Sequence, residues 1–230
     1  MITDRLLAIS KMIIVGQTAA DIGSDHVRLP IYLVENGIVP GVIATELADG
    51  PFLRAQEAII NSSCKDVIEL RQGDGLQALQ KGEAATVIIA GMGGDTICSI
   101  LSHDWDKAAS FRRFVFQPMS RAYRLRVALA EQGWPILDEM LVTENKRIFA
   151  IICSTPGKTP YRLSRLELDI GPIILLARDS EVGKLYLGQW MAKYKAICQS
   201  LSQSNTWENR SLILDYEQRI TALEVIIDAG

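Results

Sequence analysis

The sequence is poor in the side chains that build metal centres and covalent cross-links, with two histidines and four cysteines among 230 residues. Cys64, Cys98, Cys153 and Cys198 are scattered, with no C-x-x-C pair and no histidine at metal-ligand spacing, which argues against a zinc site and against a disulfide framework. They are expected to be reduced thiols, mostly buried. Long hydrophobic runs are missing as well. No stretch reaches the roughly 18 consecutive apolar residues that a membrane span needs. The run from Met12 to Val15 is too short for the core of an export signal and follows charged residues. A cytoplasmic protein with no metal and no membrane contact is the expectation. Nor is positive charge in excess: the formal net charge is −3, so any contact with nucleic acid has to come from a local basic patch.

What is present fits a folded enzyme. Hydrophobic residues make up 48% and charged residues 22%, and the length accommodates one α/β domain with a smaller second unit. From Ala19 to about Pro156, short apolar runs alternate with segments of helical period, the pattern of a parallel sheet wrapped by helices. Thr3 is placed to cap an opening helix carrying Leu6, Leu7, Ile9 and Ile13, and Gly16 turns the chain into a strand near 18–22. A helix with Leu29, Ile31, Leu33 and Val34 stops near Gly37. A strand over 41–47, a helix from Pro51 to 61 and a strand over 66–72 follow. Residues 86–90 are apolar at nearly every position, as in a central strand covered on both faces, and run into Gly91-Met92-Gly93-Gly94. Next come a helix over 96–101, a strand over 114–117 and a helix capped by Ser120 that ends at Gly133. The runs 136–142 and 147–153 are close enough to pair as an antiparallel hairpin.

Beyond Pro160 the pattern changes. Leu187, Met191, Tyr194, Cys198 and Leu201 fall at helical spacing, as do Leu212, Tyr216, Ile220, Leu223 and Ile227, with Asn205, Trp207 and Asn209 between the two sets. This predicts an antiparallel helical hairpin. The expected division is a catalytic domain over 1–157 and a helical domain over 158–230. The helical part serves either as a stabilising or dimer-forming appendage or as a substrate-gripping arm.

Five short segments carry candidate chemistry. Asp21-Ile22-Gly23-Ser24-Asp25-His26 closes the first strand, where ligands bind in open α/β sheets. Gly23 permits close backbone approach, and the next helix offers unpaired N–H groups to a carboxylate such as the methionine end of S-adenosylmethionine. A single glycine replaces the G-x-G-x-x-G of dinucleotide enzymes, which weakens a nicotinamide reading. Glu46 lies about 20 residues beyond that turn, where an acid can accept both ribose hydroxyl protons. Asp74, in Gly73-Asp74-Gly75-Leu76, can accept from an adenine amino group, although Asp-Gly is also a common turn. Gly91-Met92-Gly93-Gly94 lets donor and acceptor approach the backbone closely, and Gln117-Pro118 closes the fifth strand. Each segment alone also reads as a plain turn or strand end. Together they fall at the ends of consecutive strands, which independent turns would rarely do.

These motifs, with Leu29-Pro30-Ile31-Tyr32-Leu33-Val34, Gly50-Pro51-Phe52 and Ile89-Ala90 before the glycines, resemble the TrmK family of bacterial tRNA adenine-22 N1-methyltransferases. The resemblance implies a Rossmann-like class I methyltransferase sheet with a C-terminal helical hairpin, S-adenosylmethionine as cofactor and tRNA as substrate. It implies cofactor contacts by Asp21, Gly23, Ser24, Glu46, Asp74, Gly75, Gly91, Met92 and Gly93. Asp25, His26 and Gln117 are the candidate catalytic side chains. Arg28 and Arg121 are candidate contacts to substrate phosphates. Arg124 and Arg126 on the same helix, with Lys146 and Arg147, add to the expected surface charge. Three positions depart from the family pattern: Arg28 stands for an aromatic residue, Thr45 for a glycine and Met119 for an asparagine. The acidic balance keeps two other readings in view, a methyltransferase of a protein or small molecule and a non-catalytic S-adenosylmethionine- or RNA-binding module.

Overall fold

The computed structural model describes residues 2–24, 26–204 and 206–228, and the chain divides into two compact units, Met1–Tyr161 and Arg162–Gly230. The first unit opens with α1 (Asp4–Ser10), β1 (Ala19–Ile22), α2 (Arg28–Glu35), β2 (Val42–Glu46), α3 (Asp49–Ile60) and β3 (Ile68–Gln72). It continues through β4 (Thr86–Gly93), α4 (Gly94–Ser102), α5 (Trp105–Ala108), β5 (Arg113–Ser120), α6 (Ala122–Glu131), β6 (Ile136–Glu144) and β7 (Arg147–Ser154). Among the described residues seven strands form one sheet in the order β3-β2-β1-β4-β5-β7-β6. Strands β1 to β5 pair in parallel, and β7 runs antiparallel to both its neighbours. This is the Rossmann-like sheet with a terminal hairpin that the sequence predicts.

The unbroken apolar run in β4 has a direct cause. Val87 and Ile89 point into a core shared with Ile97 and Leu101 of α4 and Leu125 and Leu129 of α6. Ile88 points the other way, among Ile9 of α1 and Leu29 and Leu33 of α2. All three are fully buried, and each contributes about 1.5–3 kcal/mol. Thr3 caps α1 as expected, accepting from the Leu6 N–H at 3.4 Å. The helix stops at Ser10, so Ile13 enters the core from a turn.

Two expectations are corrected in this unit. Ser120 does not cap α6, because it stays in the sheet opposite Gly93; the cap position is Arg121, in the left-handed region at φ 51° and without a side-chain cap bond. A Cβ on Gly94 would strike the Arg121 carbonyl, so the glycine lets the β5–α6 turn close onto the end of β4. Arg126, grouped with the surface charges by its residue type, is fully buried. Its Nε donates to Glu139 of β6 at 2.9 Å, and both side chains are inaccessible to solvent.

The second unit holds α7 (Arg165–Asp169), α8 (Glu181–Leu201) and α9 (Trp207–Asp228), and α8 and α9 pack together as the expected hairpin. Leu187 and Tyr194 of α8 and Leu223 of α9 are buried. The Tyr194 hydroxyl and Arg219 both donate to Asp169, at 2.8 and 2.7 Å, which ties the hairpin to α7. Asn209 donates to the Leu201 and Ser204 carbonyls at 3.1 and 3.0 Å and so satisfies the end of α8. Asn205 lies outside the described residues. All four cysteines are free; Cys64 and Cys153 are buried, and Cys98 and Cys198 are half-buried. No helix among the described residues is long and apolar enough to cross a membrane.

Candidate active site

The parallel register collects the strand-end motifs on one edge. Ile22 lies opposite both Thr45 and Ile89, Glu46 opposite Gln72, and Ala90 opposite Gln117. The carboxyl ends of five strands therefore share one rim, and the strand order reverses between β1 and β4, the place where open sheets form ligand crevices. A cavity of about 340 Å³ opens there. Asp21, Gly23, Ser24 and Gly91 line it from the sheet, His26, Arg28 and Leu29 from the start of α2, and Thr3, Arg5 and Leu6 from α1.

Asp21 carries the clearest electrostatic signature. Its buried carboxylate accepts from the Ser24 hydroxyl at 2.5 Å. Burial raises its pKa from the usual 3.8 to about 6; the Ser24 bond opposes the rise and the charge of Glu46 adds to it. A buried acid with a negative neighbour holds its charged form at a cost. The backbone beside it is shaped for close approach. Gly23 is left-handed at φ 75°, its N–H donates to Thr45 at 2.9 Å, and a Cβ there would overlap the terminal methyl of Met92.

Val27 also sits in the left-handed region, at φ 44°, which is costly for a β-branched residue, on the order of 1–3 kcal/mol. Two things hold it there. Its N–H donates to the Ser24 carbonyl at 2.8 Å, and its side chain is buried with Ala44, Ala55 and Ile59. The turn leaves α2 without a side-chain cap, so the first amide N–H groups of that helix begin at the cavity wall.

Arg5 was not among the residues the sequence singles out. Its Nη1 donates to Gln117 Oε1 at 2.5 Å, its Nε stands 3.6 Å from Glu144 Oε1, and its guanidinium lies over the Phe149 ring at 5.7 Å. The same Gln117 oxygen accepts from the Gly91 N–H at 3.2 Å, and a Cβ on Gly91 would lie 3.8 Å from Arg5. Gln117 is fully buried, and its amide nitrogen donates to the Pro118 carbonyl at 3.1 Å. In this placement Gln117 braces the glycine end of β4, with Arg5 on the same oxygen.

Of the other predicted residues, only Arg28 lines the cavity. Glu46 is buried at the end of β2, and its carbonyl takes the Gly73 N–H at 2.9 Å. Asp74 is exposed at the start of a short 3-10 turn, where its carbonyl accepts from Gln77 at 3.0 Å. Gly75 is left-handed at φ 53° and buried, and a Cβ there would meet the Ile100 side chain. Met92 touches the Gly23 turn, and Gly93 faces the Ser120 hydroxyl. Arg28 is exposed on the cavity wall, whereas exposed Arg121 pairs with Asp95 at 2.5 Å and Arg124 approaches the same acid at 3.8 Å. Asp25 lies outside the described residues.

Residues 2–152 match the model of the methyltransferase domain family. Over the full length, the chain is 32% identical to the tRNA (adenine(22)-N(1))-methyltransferase of Bacillus subtilis strain 168, covering 100% of this chain and 98% of that one. The chain belongs to this methyltransferase family. The crystal structure of the B. subtilis m1A22 tRNA methyltransferase TrmK superposes with a TM-score of 0.87 at 30% identity, over 99% of each chain. The Streptococcus pneumoniae homologue, solved in complex with S-adenosyl-L-methionine, gives 0.84 at 27% identity over 99% of this chain and 100% of its own. Both likenesses extend through the helical hairpin as well as the sheet, so the TrmK resemblance is not confined to the methyl-donor fold.

Proposed function

We propose that this chain transfers a methyl group from S-adenosylmethionine to N1 of an adenine in tRNA, at position 22 as in the relative's name. The observation that carries the reading is the cavity at the β1–β4 reversal, with a buried acid on one side and close-approach glycines on the other. When bound, S-adenosylmethionine supplies an electrophilic methyl on a sulfonium. The residues present fit it. Asp21 offers a negative partner to an ammonium group, and the uncapped start of α2 offers N–H donors to a carboxylate. Glu46, one strand further out, is placed for ribose hydroxyls, and Asp74, at the end of β3, for an adenine amino group. With Gly75 packed under Ile100, its contribution is to hold Asp74 in place.

The chemical task is alignment. Displacement at a sulfonium methyl needs the nucleophile in line at near-attack distance, and the Arg5–Gln117–Gly91 brace fixes the backbone beside which the two reactants meet. N1 of adenine is neutral and already nucleophilic, but the methylated ring is cationic. Negative charge near the ring therefore stabilises the transition state, and we give that role to Asp25, with His26 orienting the base. The target edge is normally paired or stacked, so the nucleotide must be unstacked to enter. Arg28 and Arg121 are assigned to flanking phosphates. With tRNA as substrate, the reaction belongs in the cytoplasm.

The deciding experiment maps methylated adenine by mass spectrometry in tRNA from cells with and without the gene. Loss of N1-methyladenine at a single tRNA position supports the reading; an unchanged map refutes it. For the charge role, Asp25→Asn is expected to lower kcat far more than cofactor affinity, and equal loss of both would move Asp25 into the cofactor shell.

A further inference from the structure

The tail of β5 and the first turn of α6 present apolar side chains to solvent where none is needed for packing. Met119 and Tyr123 are each 39% exposed, and Tyr123 is the one exposed aromatic side chain among the described residues of the first unit. Both are anchored to the glycine end of β4. The Gln117 amide that braces Gly91 with its oxygen places its nitrogen 3.5 Å from the Met119 sulfur. Two residues before Tyr123, the Arg121 carbonyl lies so close to Gly94 that no Cβ fits between them. The Arg124 guanidinium stands 5.6 Å over the Tyr123 ring and is drawn to Asp95 at 3.8 Å, which limits the ring's freedom. The result is an exposed thioether at the end of β5 and an exposed flat ring in the first turn of α6, on the strand next to β4, with Arg121 and Arg124 in the same stretch.

A base turned out of an RNA stack loses stacking energy, and proteins that accept such bases replace it with aromatic or guanidinium faces. Met119 has no donor hydrogen to read a base edge, but its thioether is polarizable and adaptable against a ring. We propose that Met119 and Tyr123 form the clamp that receives the unstacked target adenine, seating it by ring contact and shape while Arg121 and Arg124 meet the neighbouring phosphates. The inference rests on the proposed tRNA reaction and adds to it the surface that recognises the target nucleotide. Recognition by stacking tolerates a lost hydroxyl and fails with a lost ring.

The test compares wild type with Tyr123→Ala, Tyr123→Phe and Met119→Ala, using a tRNA transcript and S-adenosylmethionine. Tyr123→Ala is expected to raise KM for tRNA about five- to a hundredfold, the range of one lost stacking contact, and Tyr123→Phe to stay near wild type. Met119→Ala should move KM in the same direction by less. Cofactor affinity measured by calorimetry should be unchanged in all three, which shows that the fold is intact. A second readout places the fluorescent adenine isomer 2-aminopurine at the target position of the transcript. Bound to wild type its emission should be quenched by the ring, and bound to Tyr123→Ala it should be bright. Tyr123→Ala with the wild-type KM and emission overturns the clamp, and so does Tyr123→Phe as damaging as Tyr123→Ala. If the wild type binds the transcript but transfers no methyl group, the reaction reading fails, and the emission comparison still decides the clamp.

Discussion

Replacing Asp21 with asparagine should make the protein more stable at neutral pH while weakening its hold on the cofactor. In the fold the Asp21 carboxyl titrates near 6, against the usual 3.8, chiefly because it is buried. A shift of about 2 units corresponds to about 3 kcal/mol. The sign follows from proton counting. Between pH 4 and 6 the folded state keeps a proton that the unfolded chain has released, so this group's contribution to stability falls as pH rises across that window. Above pH 6 both states are ionised and the full burial cost of the charge remains. Asparagine has the neutral acid's shape at every pH and retains an oxygen for the Ser24 hydroxyl. Denaturant titrations of Asp21→Asn and wild type should therefore coincide near pH 4 and diverge with pH. By pH 7.5 the variant should lead by up to about 3 kcal/mol, or about 6–12 °C in Tm for a chain of this size. Added S-adenosylmethionine should reverse the order, because it stabilises only the form that binds it well. A stability difference that does not change with pH would refute the argument that Asp21 holds a strained charge for a cationic ligand.

Three further outcomes are expected. Glu46→Ala should weaken S-adenosylmethionine binding by about 2–4 kcal/mol, the loss of two charge-assisted bonds; unchanged affinity by calorimetry removes Glu46 from the ribose role. Arg126→Met should destabilise the protein by about 3–5 kcal/mol by leaving Glu139 charged and buried, and adding Glu139→Leu should restore most of it; if the double variant unfolds as readily as the single one, the ion pair is not the cause. Arg28→Ala should weaken tRNA binding and flatten its salt dependence by about one ion without changing cofactor affinity, and a wild-type salt slope would remove Arg28 from the phosphate contacts.

The sheet was legible because its signals are local. A buried central strand needs apolar residues on both faces, which Val87, Ile88 and Ile89 display in sequence, and strand-to-helix turns need glycines such as Gly23. Since parallel strands end on one edge, placing those turns at strand ends also placed Asp21, Glu46 and Gly91 on one rim. Signals that depend on distant partners were not legible. Arg5 sits in the first turn of a helix, where the dipole disfavours a cation, and its reason for being there lies 112 residues away at Gln117. Ser120 has the chemistry of a helix cap, yet pairing opposite Gly93 keeps it in the strand. Arg126 looked like surface charge by residue type, although it falls within the buried stripe of Leu125, Leu129 and Ala130. Only the fold reveals the acid on β6 that neutralises it.

A site for a cationic cofactor and a polyanionic substrate has to keep two fields apart, and this chain does so by depth. The acids assigned to the cofactor, Asp21 and Glu46, are buried, and there a charge is little screened and its partner is selected strongly. The cations assigned to the RNA are exposed: Arg28 at the cavity mouth, and Arg121 and Arg124 with side chains 63% and 59% accessible. Arg121 and Arg124 are engaged by Asp95, but an exposed pair of this kind contributes only about 0–1 kcal/mol, so a phosphate can displace the acid at little cost. A net charge of −3 therefore weighs less against RNA binding, since Asp21 and Glu46, two of the acids at the strand ends, are buried. The same arrangement explains why stability is given up at Asp21 rather than at the rim. A strained charge selects a ligand most sharply where water cannot satisfy it.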